Sequence, residues 1–141
     1  MSDASFEKVS RSAKPLYGPR KQLLCGFPPA AHPKFGAVLK MAELTDRPAV
    51  WVGSAQADTS LADLLELPDG TGRGETSALP RAINVSGITE SELHRVMAFC
   101  RKTGMAQTLW AVLTPTSETW TIQELLTELS AEREALAKGE A

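Results

Sequence analysis

Four short apolar runs alternate with four stretches of helical spacing along the chain of 141 residues. Leu23-Leu24-Cys25, Ala49-Val50-Trp51-Val52, Ala82-Ile83-Asn84-Val85 and Trp110-Ala111-Val112-Leu113 each have the length of a short internal strand. Turn residues bound them: Gly26, Gly53, Gly87 and Thr114-Pro115, where proline lacks the N–H that a ladder needs. After the first run, Phe35, Val38, Leu39 and Ala42 fall on one helical stripe, predicting a helix from about Pro33. Leu61, Leu64 and Leu65 predict a short helix capped by Ser60, with Asp63 in the box position, and stopped at Pro68. Leu93, Val96, Met97 and Cys100 predict a third, capped by Thr89 with Glu92 in the box position and closed by Gly104. The fourth follows Thr121, whose hydroxyl is spaced to accept from the Glu124 N–H while the Glu124 carboxylate reaches back. Trp120 and Leu125 supply a hydrophobic staple, and the helix is expected to run to about Ala137.

Shifting the sequence by about 61 residues superposes residue classes in order. Gly26 falls on Gly87, Phe27 on Ile88, Val38 on Phe99, Val52 on Leu113 and Ser60 on Thr121. Leu61, Asp63, Leu64 and Leu65 fall on Ile122, Glu124, Leu125 and Leu126. The fold class expected is therefore α/β: two tandem strand-helix-strand-helix repeats forming one sheet of about four strands covered by helices. Residues 1–21, polar and without sustained period, are expected to form a flexible N-terminal arm. Residues 22–141 form a single domain whose repeats span 22–67 and 82–138. The connection 68–81 reads as a Gly-rich linker, with Gly70, Gly72 and Gly74 in five residues. A phosphate-cradling loop would need a strand before it, a helix after it and, in P-loops, a lysine; this segment lacks them.

Composition narrows the function classes without choosing one. Hydrophobic content of 43% and charged content of 23% fit an ordinary globular domain, and a formal net charge of -2 gives no drive toward nucleic acid. No apolar run reaches the length of a membrane span, and the start has no signal-peptide core. With two cysteines, Cys25 and Cys100, on a strand and on a buried stripe, free thiols in a reducing cytoplasm are expected.

The segment Leu113-Thr114-Pro115-Thr116-Ser117-Glu118-Thr119-Trp120-Thr121 with Leu125-Leu126-Thr127-Glu128-Leu129 resembles a small bacterial family, domain-of-unknown-function family 3783. The turn Gly87-Ile88-Thr89-Glu90-Ser91-Glu92-Leu93 after an apolar strand is similar to that family's opening. The resemblance covers roughly Arg81 to Leu136. Ser117 stands where an asparagine is expected, and in the first half Gly53-Ser54-Ala55 replaces the T-P-T turn and Thr59 the tryptophan. The resemblance implies an α/β domain and no established activity or catalytic residue.

In open parallel sheets, ligands sit beyond the carboxyl ends of the strands. That expectation selects Gly26 to His32, Gly53 to Ser60, Gly87 to Ser91 and Thr114 to Thr121 as a candidate surface. The hydroxyls of Thr114, Thr116, Ser117, Thr119 and Thr121, beside a helix N-terminus, are the ligand-binding candidates. Capping and turn formation explain the same residues without a ligand. Trp120 is the candidate partner-binding anchor, against a purely stapling role. Trp51 and Trp110 are expected in the core. His32 and His94 lack the further ligands a zinc site needs, and neither a catalytic pair nor a nucleophile elbow is present. No catalytic residue, metal or cofactor is assigned. The function expected is a non-enzymatic binding or regulatory domain, with a protein partner or self-association through the last helix or an unpaired sheet edge. The alternative is a small enzyme or anion-binding protein using the strand-end turns. Nucleic-acid binding through the basic arm is the weakest reading.

Overall fold

The structure, a computed structural model, describes residues 14–104 and 108–137. Its elements run β1 (Lys21–Cys25), α1 (His32–Met41), β2 (Ala49–Val52), α2 (Leu61–Leu65), β3 (Ala82–Ser86), α3 (Glu90–Lys102), β4 (Leu109–Val112) and α4 (Ile122–Ala137). The strands form one sheet in the order β2-β1-β3-β4. Strand-helix-strand-helix occurs twice, as the apolar spacing predicts. The first 13 residues of the expected arm lie outside the described residues. Lys21, assigned to that arm, is instead the first residue of β1, and its Nζ donates to the carbonyls of Leu65 and Leu67 at the end of α2.

Within each half the two strands run parallel, β1 with β2 and β3 with β4, but the halves meet antiparallel through β1 and β3. This overturns the single candidate surface. The carboxyl ends of β1 and β2 lie at one end of the sheet and those of β3 and β4 at the other. Gly26 to His32 and Gly53 to Ser60 are thereby separated from Gly87 to Ser91. The cause is the connection between α2 and β3, which carries no helix and so makes no parallel crossover.

The register of the central pair is ordered by the same shift that relates the halves. Leu23 faces Asn84, and Ser60 bridges antiparallel to Thr121; both pairs are 61 positions apart. The second pairing is reciprocal: the Leu61 N–H donates to Trp120 O at 2.9 Å and the Ile122 N–H to Thr59 O at 3.1 Å. An approximate two-fold axis therefore runs through the sheet between Leu23 and Asn84.

Alternation along the strands separates two apolar layers. Leu24, Trp51, Ile83 and Val85 pack with Phe35, Val38 and Leu39 of α1 and Val96 and Cys100 of α3. Leu23, Cys25, Val50, Val52 and Leu113 pack on the other face with Leu61, Leu64 and Leu65 of α2 and Ile122, Leu125 and Leu126 of α4. Both cysteines are free and buried, and burial pushes the Cys25 thiol up to about 12 and Cys100 to about 11. The Thr89–Glu92 capping box forms as spaced, with both bonds at 3.0–3.1 Å.

Asn84 breaks the second layer's apolar pattern. It is 1% exposed, and neither its amide nitrogen nor its oxygen has a hydrogen-bond partner. Its counterpart across the axis is Leu23. Asn84→Leu is therefore expected to stabilise the fold by about 1–3 kcal/mol in urea unfolding, since a buried unsatisfied amide costs that much. A loss of stability would show that the amide is satisfied.

Candidate binding site

The turn 114–121 spends four of its five candidate hydroxyls on local bonds; Thr116, exposed, contributes its carbonyl and not its hydroxyl. Ser117 Oγ accepts from the Thr114 N–H at 3.0 Å, and Thr114 Oγ1 accepts from the Ser117 N–H at 2.9 Å. A further bond of 3.2 Å links those two hydroxyls, and Thr119 Oγ1 donates to Thr116 O at 3.1 Å. Thr121 Oγ1 accepts from the Glu124 N–H at 3.1 Å, and Glu124 Oε1 takes the Thr121 N–H at 2.9 Å. Thr114 with Ser117, Thr116 with Thr119, and Thr121 with Glu124 are thus three local pairs that close the turn and cap α4. Trp120 is half-buried against the layer under α2 and α4.

The end of the N-terminal segment docks beside this turn. The Leu16 N–H donates to Ile88 O, the Gly87 N–H to Tyr17 O, and the Tyr17 hydroxyl to Glu118 Oε2 at 2.8 Å. Arg20 is bound at 3.0 Å to both Asp46 and Glu92, and its guanidinium holds both carboxyls below their ordinary range. Arg20 is therefore committed to ion pairs within the fold.

Both ring nitrogens of His32 are occupied by backbone. Nδ1 accepts from the Gly74 N–H at 2.9 Å, which leaves Nε2 to donate to Phe27 O at 3.2 Å. The ring stacks on Trp51 with centroids 3.8 Å apart. His94 lies exposed on α3. Among the described residues, no group of three His, Cys, Asp or Glu side chains could hold a metal ion, and no helix is long and apolar enough to cross a membrane.

The two sheet edges differ, and this is what residue spacing alone did not reveal. At the β2 edge, the Ala49 N–H donates to Asp69 Oδ1 and Ala49 O accepts from the Gly70 N–H, while the Trp51 N–H donates to Thr71 O, each at 2.8 Å. The expected linker thus lies along β2. It comes so close at Gly72 that a Cβ would sit 2.1 Å from Trp51 O, and φ there is +80°. At the other edge, Leu109 and Leu113 donate inward to Arg81 and Val85. By alternation Trp110 and Val112 turn their N–H and C=O groups outward. These are the counterparts of Ala49 and Trp51, and no described residue bonds them. All four residues of β2 are buried; all four of β4, Trp110 included, are half-buried.

Residues 81–136, from the entry to β3 through nearly all of α4, match a family model. That segment matches DUF3783, a domain of unknown function. The matched segment has the bounds of the sequence resemblance and contains the open edge, the 114–121 turn and the Thr89 and Thr121 capping boxes; the sealed edge lies outside it. No curated protein and no solved structure matches the chain.

Proposed function

We propose that this chain is a non-enzymatic binding module that self-associates, pairing its β4 edge antiparallel with that of a second copy. The observation that carries the reading is the contrast between outward-facing groups: the Ala49 N–H and C=O and the Trp51 N–H are bonded, whereas no described residue bonds those of Trp110 and Val112. Partly buried apolar side chains flank the open edge on both faces, Phe99 and Trp110 on one, Leu109 and Ala111 on the other. An edge with free backbone groups and apolar flanks is a template for strand addition. A second copy suits it because an isologous pairing uses the same open edge twice and leaves none over. The enzymatic alternative has less support, since four of the five candidate hydroxyls, those of Thr114, Ser117, Thr119 and Thr121, already make turn and cap bonds. Buried free thiols fit a reducing compartment such as the cytoplasm.

Light scattering on the purified chain tests this. The wild type is expected at twice the chain mass, and Val112→Pro at the chain mass with an unchanged circular dichroism spectrum. Proline there removes an outward N–H and leaves the bonds to β3 in place. A wild type that stays monomeric at high concentration, or a folded Val112→Pro that still dimerises, would overturn the reading.

A further inference from the structure

Between α1 and the segment that seals β2 lies a cleft of about 570 Å³. Its floor is apolar, with Phe35, Leu39 and Trp51 among the lining residues. A volume of this size, mostly apolar with a few polar groups, is typical of small-molecule sites. The polar groups at hand are mainly donors. Trp51 is 6% exposed, and its indole N–H, which has no acceptor, is itself buried within the floor. Arg73 lines the cleft from the exposed segment, and no described carboxylate pairs with it. Asp69, the carboxylate in the lining, has one oxygen occupied by the Ala49 N–H.

Gly36 adds a steric observation. It lies within α1, where glycine costs a helix about 1 kcal/mol relative to alanine. A Cβ there would meet nothing within 4 Å. Packing against the protein therefore does not require the missing side chain. Its absence keeps the cleft wide.

We propose that this cleft binds a small planar apolar acid, its ring on Phe35, Leu39 and Trp51 and its carboxylate on Arg73. The site lies in the N-terminal half, so it is independent of pairing at β4. Guanidinium and carboxylate match in geometry and charge, and an aromatic ring suits a floor of aromatic and aliphatic side chains.

The test is calorimetric titration with 2-naphthoate and its neutral amide, 2-naphthamide, on the full chain. Saturable binding of the acid is expected, with the amide at least tenfold weaker. Gly36→Leu, which fills the cleft from an unstrained helical position, is expected to abolish binding in a protein that melts no earlier than wild type. Arg73→Gln, an exposed substitution that leaves the floor intact, is expected to remove the acid's advantage over the amide. No saturable binding of the acid, acid binding that survives Gly36→Leu, or an amide as tight as the acid would each overturn the proposal.

Discussion

Replacing Arg47 by alanine is expected to lower the unfolding free energy by about 2–5 kcal/mol, since it strips buried neutral acceptors of their donor at about 1–3 kcal/mol each. Arg47 is 3% exposed and is surrounded by oxygen rather than by carboxylate. Its Nη2 donates to Lys21 O at 2.6 Å and to Ser86 O at 2.7 Å, and Nη1 and Nε reach Gly87 O and Gln22 Oε1 at 3.4 Å. One guanidinium thus satisfies the carbonyls where β1 begins and β3 ends, holding the antiparallel seam between the halves. Burial lowers its pKa to about 10, so it remains a cation at neutral pH. Arg47→Met should rescue little, because packing is restored while the Ser86 carbonyl loses its guanidinium donor and Lys21 O keeps the longer bond from Ser86 Oγ at 3.2 Å. Arg47→Lys should also fall short, having a point charge where a fork is used. Urea unfolding followed by circular dichroism checks all three; a loss under 1 kcal/mol for alanine would mean that the seam does not depend on this side chain.

Gly26→Ala is expected to cost about 2–5 kcal/mol, from two sources that add. The backbone at Gly26 has φ +74°, a left-handed conformation that costs a residue with a Cβ about 1–2 kcal/mol. The new Cβ would also sit 2.3 Å from Leu79 O and 2.6 Å from Pro80 O, so backbone must move, at about 1–3 kcal/mol more. The chain crosses there on its way into β3. Thermal or urea melting of the variant is the check, and a wild-type midpoint would mean that the crossing segment gives way freely.

Much of the local structure was legible because its causes are local. Ala49-Val50-Trp51-Val52 became β2 to the residue, since a short β-branched and aromatic run between turns has few other options. Thr89 with Glu92 and Thr121 with Glu124 read correctly because a capping box involves only residues three apart. The sheet order was not legible. Nothing in Leu23 or Asn84 states that they face each other antiparallel, and the expectation of a parallel sheet put all strand ends on one surface. Arg47 precedes a proline and falls on no apolar stripe, so nothing local marks it; its burial depends on strands brought together from elsewhere. The Gly-rich stretch misled for a related reason. Glycines at 70, 72 and 74 signal freedom of backbone, but only the fold shows that Gly72 uses it to approach Trp51. The candidate turn was half legible: its hydroxyls were found, and the same spacing that found them makes them caps.

An internal two-fold would ordinarily make the two ends of a sheet alike. A molecule with two open ends that pair edge to edge has no stopping point, and its assembly grows into a ribbon. Covering β2 with residues 69–72 turns such a monomer into one with a single valence. Given the pairing proposed for β4, the glycines of that stretch would set a stoichiometry: they would cap growth at two copies, and a change that lifts the stretch from β2 would convert a closed pair into an open-ended polymer.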